Sequence, residues 1–475
     1  MAEIRRAYVI GAGPNGLSAA VVLAQAGLEV EVFEAEAQPG GAARTMELTL
    51  PGFHHDFGSS VYPLGAGSPF FRSLPLYDLG LEWIFGDVAA AHPLEDGTAV
   101  TLEQNLADQA RVLGVDGHAW NAVIGPAAER WLDFAHEVLR PPLHVPAHPF
   151  LMAGFGMRAL LSSNAFVRRF HTTRARALFA GLVGHGLIAF DQLASAAVGL
   201  MFAVSGPAVG WPVAKGGAQA IPNALMRRLQ QFGGVVHTGH PIRSLDELDT
   251  ARAITLCDLT PRALLSIAGS RLNASYRRSL QNFRMGPGAF KIDYALSQPI
   301  PWTAPECHRA MSVHVGGSYE EVAAAEEAVA KGRQADKPFL IVTQPSLYDP
   351  TRAPAGRHTA WAYCHVPNGA TEDRTHAMEE QIEQFAPGFR DCVLARRVLS
   401  PADLEQMDAN LIGGDVNGGA FNLAQLARRP TLRAYRTGTP GLYLCSSSTP
   451  PGGGVHGMCG YNAAQAALRD LGLRA

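Results

Sequence analysis

Charge is scarce in this chain and cysteine is unorganised, and both shortages narrow what it can be. Charged residues make up 17% of 475 positions and sum to a net charge of −3. No basic surface for nucleic acid follows from such a composition, and no nucleic-acid partner is expected. The six cysteines, at positions 257, 307, 364, 392, 445 and 459, show no C-x-x-C or zinc-like spacing. That argues against a redox pair and fits a reducing cytoplasm with mostly inert thiols. No metal site is expected either. His54, His55 and Asp56 are consecutive, and neighbours on an extended strand point to opposite faces. His144 and His148 have helical spacing, yet Pro146 and Pro149 break the helix that such a site requires.

Long apolar runs are missing as well. Arg5 and Arg6 precede an apolar stretch, but Pro14, Asn15 and Gly16 interrupt it and no cleavage site of the signal-peptide kind follows. Residues 193–211 carry no charge, but Gly199, Gly206 and Pro207 dilute them below the ~20 strongly apolar residues that a bilayer demands. A buried helix is the expectation there. What the chain does have is 47% hydrophobic residues. At this length they call for two or three domains with large buried surfaces, or for a lipid-like ligand.

The first motif sits near the N-terminus. Residues 7–10 form a short apolar run suited to a central parallel strand, and Gly11-Ala-Gly13-Pro14-Asn15-Gly16 follows at once, leading into a helix over 17–25. Each glycine has its own duty: Gly11 for the tight turn, Gly13 for close approach of a pyrophosphate, Gly16 for packing of helix on strand. The helix N-terminus offers free N–H groups to phosphates. A second strand over 29–33 ends at Glu34, beside Ala35. A carboxylate there accepts hydrogen bonds from a ribose diol and disfavours a 2′-phosphate. Strand, turn, helix, strand and acid at the expected spacing predict dinucleotide binding.

Two further loops point to FAD rather than NAD. Gln38-Pro-Gly40-Gly41-Ala42-Ala-Arg44-Thr45 places a glycine doublet just past Glu34, where backbone can approach FAD's longer pyrophosphate–ribityl chain. Arg44 is read either as a contact to phosphate or flavin or as a solvated surface arginine. Near the C-terminus, a strand over 441–445 runs into Ser446-Ser447-Ser-Thr-Pro450-Pro-Gly-Gly-Gly454-Val455-His456-Gly457, with a helix over 461–468. Such a helix N-terminus can stabilise negative charge on reduced flavin; the alternative is a flexible Gly/Pro turn. No second G-x-G-x-x-G follows another strand, so a separate nicotinamide domain is not expected.

With these residues in place, the chain resembles the phytoene desaturase-like flavoproteins, within the wider amine oxidase-like group. The 11–45 block, Pro51-Gly-Phe-His-His-Asp-Phe-Gly58-Ser59-Ser60, Trp211-Pro-Val-Ala-Lys-Gly-Gly-Ala-Gln-Ala220 and the loop over 449–464 all look like that family. So do Gly286-Pro-Gly-Ala-Phe-Lys-Ile-Asp-Tyr-Ala-Leu296 and Gln344-Pro-Ser-Leu-Tyr-Asp-Pro350. The likeness covers nearly the whole chain and is specific for FAD, not for a substrate. Two departures stand out. Ala42 occupies a position where many relatives carry arginine, with Arg44 as its possible substitute, and Ser446 and Pro450 replace common glycine and histidine.

The resemblance implies an α/β fold: a Rossmann-type FAD-binding domain from 1–75, 212–275 and 430–475, with an α+β substrate-binding domain from 76–211 and 276–429. Residues of about 120–211 would form a helical subdomain. A strand over 235–242 would bring backbone at Pro241 and Ile242 to the adenine. The implied FAD contacts include Gly58, Ser59, Ser60, Ser447, Gly454, Val455, His456 and Met458.

Flavin chemistry needs a C–H bond held at the ring and a sink for a proton. A strand over 290–295 puts Lys291 and Asp293 on one face. Amine oxidases carry a lysine on a similar strand, and Lys291 is its counterpart by resemblance; otherwise it snorkels at a strand edge. His456 is the second catalytic candidate, because an ordinary imidazole exchanges protons near neutrality; the plainer reading is a packing histidine. Asp403, Glu405 and Asp408 read as a solvated acidic helix face. Residues 168–204, apolar with Arg168, Arg169, Arg174 and Arg176 at their start, either line the pocket or rest on an anionic membrane surface.

The sequence therefore predicts dehydrogenation of an apolar, isoprenoid- or lipid-like substrate by hydride transfer to FAD, with oxygen or a quinone as electron acceptor. The alternatives are an amine or amino-acid oxidase, a redox-neutral isomerase and a scaffold that retains FAD. The expected location is the cytoplasm, with peripheral membrane contact left open.

Overall fold

The structure, a computed structural model, describes residues 4–473. Its first sheet has five strands in the order Leu442–Leu444, Ala253–Cys257, Arg6–Ile10, Glu29–Phe33, Val235–His237, each paired parallel to its neighbour. Such strands are covered on both faces, which is why Ala7, Val9, Val30, Val32, Ile254 and Leu256 are all buried. The helix Pro14–Gln25 starts earlier than the apolar pattern indicates, because Pro14 sits at its first position, where no N–H is needed. It packs against Met458–Leu471 and Ala220–Gln231.

The strand expected over 235–242 ends at His237. Gly239, at φ +64°, turns the chain back, and the N–H groups of Gly239 and His240 donate to the carbonyls of Glu36 and Glu34. Pro241 is therefore exposed and Ile242 packs into a small apolar cluster beneath the sheet.

The second sheet has seven strands, in the order Val393–Leu399, Gly288–Leu296, His358–Val366, Leu340–Thr343, Ala310–Val315, Val88–Pro93, Ala99–Glu103. All pairings are antiparallel except Val88–Pro93 with Ala310–Val315. One face, with Phe290, Ile292, Val313, Val342, Ala360 and Ala362, packs into an apolar core that includes Met378 and Ile382 of the Thr375–Phe385 helix. The opposite face looks into the site.

Helices Thr173–Gly184 and Ala196–Val209 pack on each other and on neighbouring strands. Three of the four arginines at their start are tied to protein: Arg169 lies 3.9 Å from the Phe166 ring centre, Arg174 bonds Thr98 and Ala99, and Arg176 pairs with Glu320. Most of helix Thr173–Gly184 is buried among these neighbours. Large exposed apolar side chains of this half include Leu143, Val145, Phe150, Met157, Leu160 and Leu193. Among the described residues no single helix is long and apolar enough to cross a membrane.

The N-terminal helix and the last helix meet at van der Waals limits. A Cβ on Gly460 would lie 1.8 Å from the Asn15 carbonyl oxygen, an overlap that only backbone displacement relieves. Gly460→Ala is expected to cost about 2 kcal/mol or more in chemical denaturation. Gly156→Ala, with nothing within 4 Å of its added methyl, should leave stability unchanged or raise it by up to ~1 kcal/mol.

Candidate active site

A cavity of about 310 Å³ runs from the first glycine loop to the floor formed by the second sheet. At one end the glycines explain the shape. Gly11 is at φ +99°, and its N–H donates to the Phe33 carbonyl. A Cβ on Gly16 would fall 2.0 Å from the Gly11 carbonyl oxygen, so no other residue lets the helix approach the strand this closely. A Cβ on Gly41 would stand 3.3 Å from Gly13 Cα, so the two glycine loops touch. Pro14, Asn15, Ala42, Gly58, Ser59, Ser447, Gly454 and Val455 complete this wall with Gly13 and Gly41. Asn15 Oδ1 is buried there without a partner in the protein.

Other expected residues stand behind the wall. Glu34 accepts the N–H of Ala12 at 2.7 Å and of Glu36 at 2.9 Å. Each oxygen keeps a second acceptor site. Ala35 is exposed beyond it, and Gly40 bends the loop at φ +132°. Ser60 donates to Asp56 and accepts from Trp361 Nε1 at 2.7 Å, so its hydroxyl serves the protein.

Two expectations are corrected. Arg44 is neither solvated nor turned to the cavity. It is 5% exposed and donates to the carbonyls of Gly41 at 2.7 Å and Met407 at 2.6 Å. It holds the glycine doublet in place. His456 does not face the cavity as a proton carrier. Its Nδ1 accepts the Met458 N–H at 3.0 Å, and burial lowers its pKa to about 4. It therefore organises the start of the last helix, and Met458 is buried at that same turn.

Lys291 lines the cavity but is 4% exposed, and is no edge lysine. Its strand spans Gly288–Leu296. Lys291 Nζ donates to both Asp293 oxygens, at 2.5 and 2.6 Å, and to the Asp56 carbonyl at 3.1 Å. Burial raises the Asp293 pKa to about 6, opposed by Lys291. Asp56 is paired with Arg352 at 2.9 Å, and its pKa stays below the usual carboxylate value despite burial. His55 lies 3.7 Å from Asp293, and burial beside Lys291 and Arg352 brings its pKa to about 3.

Sequence reasoning missed several groups. Trp361, Tyr363, His185, Ser312 and Thr343 line the far end; the period-two alternation of residues 358–366 was the available signal. Arg429 clamps the last loop through the carbonyls of Asn417 and Ser447. Asp403, Glu405 and Asp408 are not one solvated face. Asp403 caps its helix, Glu405 accepts the Gly413 N–H, and Asp408 lines the cavity beside Gly41. His144 and His148 both bond Glu137.

Asp258 was unforeseen and is electrostatically the most consequential. It follows the Ala253–Cys257 strand, and its Oδ2 accepts the Gly16 N–H at 2.8 Å. Burial, with Asp408 and Glu34 nearby, raises its pKa to about 7.

A parallel sheet carrying a glycine cradle that opens into a cavity is the arrangement of a dinucleotide-binding enzyme. Residues 9–74 match the NAD(P)-binding Rossmann-like domain family. Over 98% of its length the chain is 29% identical to pyridine nucleotide-disulfide oxidoreductase domain-containing protein 2 of Mus musculus, covering 93% of that protein. It is 27% identical to phytoene dehydrogenase of Streptomyces griseus over 82% of this chain and 77% of that one. Wild-type putrescine oxidase bound to putrescine shares the fold at a TM-score of 0.61 and 16% identity, with 98% of each chain covered. By these matches the chain is similar in sequence to a phytoene dehydrogenase and shares its fold with an amine oxidase.

The Asp258 carboxyl holds its proton to about pH 7 in the folded protein, whereas an unfolded aspartate releases it near ~4. Between those values the native state binds more protons, so stability falls as pH rises through the window and levels off above it. Asp258→Asn keeps an oxygen for Gly16 and removes the titration. Melting temperatures across this window should show wild type losing ground to the variant as pH rises. A constant difference would contradict the assignment.

Proposed function

We propose that this protein is an FAD-dependent dehydrogenase of an apolar, isoprenoid- or lipid-like substrate, with oxygen or a quinone as final acceptor. The observation that carries the reading is the cavity itself: aromatic and aliphatic walls, no arginine among the lining residues, and a single lysine whose charge is already paired. The name of the Streptomyces griseus relative supports an isoprenoid.

The residues present fit FAD. Glycines 13 and 41 leave a groove that side chains would fill, Asn15 Oδ1 is an unpartnered acceptor in it, and Glu34 retains acceptor sites for a ribose. Gly13, Asn15, Gly41, Ser59, Ser447 and Val455 would hold the group. When bound, FAD supplies a two-electron acceptor for hydride.

The chain supplies position and a proton path. Val61, Leu64, Phe202 and Ile341 exclude water from the reacting carbon. A proton released by the substrate reaches Asp293 Oδ1 by relay through Lys291 Nζ, 2.5 Å away, which gives up one proton as it takes up the other. The net result is a neutral Asp293, which its raised pKa permits.

A second reading, amine oxidation, draws on Trp361 and Tyr363, whose ring centres are 5.7 Å apart in the cavity. Aromatic faces attract cations. Lys291 Nζ already lies 5.5 Å from the Trp361 ring centre, which disfavours a further positive charge.

Purified protein is expected to carry one photoreducible flavin per chain. Anaerobic rapid mixing should bleach it with isoprenoid alkenes and not with amines or amino acids. Bleaching by amines alone would refute the dehydrogenase reading. Lys291→Met should slow reduction about 100-fold or more while flavin content is retained.

A further inference from the structure

The floor of the cavity is one face of the seven-stranded sheet, and side chains directly opposite each other on an antiparallel ladder share a face. Val313 pairs with Val342 and His314 with Ile341, a register that sets Ser312 opposite Thr343; Thr343 in turn faces Trp361. Ser312 is 2% exposed and Thr343 3%, both line the cavity, and neither hydroxyl has a partner in the protein.

Two adjacent unpartnered hydroxyls are costly in a core, because each loses water without replacement. Nothing about the packing demands them. The opposite face of the same strands carries Val313 and Val342, and valine would occupy the threonine site without a polar atom. The hydroxyls therefore answer to something that enters the cavity.

The surroundings define its charge. Lys291 is spent on Asp293, and His185, which lines the same end, has its Nε2 2.9 Å from His314 Nε2. Burial holds both imidazoles in the neutral form. A carboxylate would find no free cation here and an ammonium would find no free anion. An uncharged oxygen suits hydroxyls that both donate and accept.

We propose that Ser312 and Thr343 form a binding site for one uncharged oxygen function, a hydroxyl or carbonyl, on an otherwise apolar substrate, and that this contact sets which end of the molecule enters first. The inference rests on the dehydrogenase reading for the use of the cavity and adds the functional group its substrate carries.

Calorimetric titration of the flavin-loaded protein with geraniol, geranial and their parent hydrocarbon tests it. The alcohol or the aldehyde is expected to bind about tenfold or more tightly than the hydrocarbon. Combining Ser312→Ala with Thr343→Val should abolish that preference and leave hydrocarbon affinity unchanged, and Thr343→Ser should retain it. Equal affinities in the wild type, no binding of any of the three, or an undiminished preference in the double variant would overturn the proposal. The wild-type comparison decides the matter if the double variant does not fold. Calorimetry reads binding and not turnover. A photoreducible holoprotein without the preference therefore defeats this inference alone, whereas protein that purifies without flavin defeats the dehydrogenase reading.

Discussion

Asp56 is a carboxylate buried to 1% exposure, and the structure around it exists to make that tolerable. It accepts the Ala218 N–H at 2.8 Å and the Thr45 hydroxyl at 2.9 Å, takes the Ser60 hydroxyl, and pairs with Arg352. Its carbonyl receives Lys291 Nζ. These partners come from the segment after the glycine doublet, the loop before the Ala220–Gln231 helix, and the elements of the second sheet. A buried charge deprived of one partner costs several kcal/mol, ~3–5 in measured cases. The nucleotide loops and the cavity floor are therefore held in register by electrostatics as well as by apolar packing.

From that junction the roles of the remaining polar groups follow. Arg44 and Arg429 are buried cations that bind protein carbonyls, and each fixes a loop: Arg44 the glycine doublet, Arg429 the C-terminal turn. Lys291, in contrast, reaches the cavity with its charge balanced by Asp293. The cavity is thereby nearly free of net unpaired cationic charge, which fits an uncharged guest better than an amino acid. Asp258 lies at the opposite end, where burial keeps its carboxyl proton to about pH 7 and so softens its repulsion of phosphate.

How much of this was legible follows from the range of each interaction. The turn at Gly11 and the approach of Gly16 depend on residues within one strand–turn–helix unit, so spacing alone identifies them. Direction of a long side chain does not work that way. Arg44 turns to the Met407 carbonyl, 363 positions away, and no local pattern announces that acceptor. For His456 the choice between a proton carrier and a packing histidine likewise depends on tertiary burial, which moves its pKa away from neutrality. Asp258 meets Gly16 across 242 positions. Pro241 lost its strand because Gly239 turns the chain toward Glu36.

The sequence by itself determined the nucleotide-binding strand–turn–helix, the glycine doublet that extends it and the strand that presents Lys291, because each depends on backbone geometry within a few residues. Only the tertiary structure decided which charges are spent and which hydroxyls are not. Lys291 meets Asp293, Arg44 meets carbonyls, and Ser312 and Thr343 meet no protein partner at all. Those outcomes depend on strands brought together from distant parts of the chain, where burial raises the cost of every unmatched polar group.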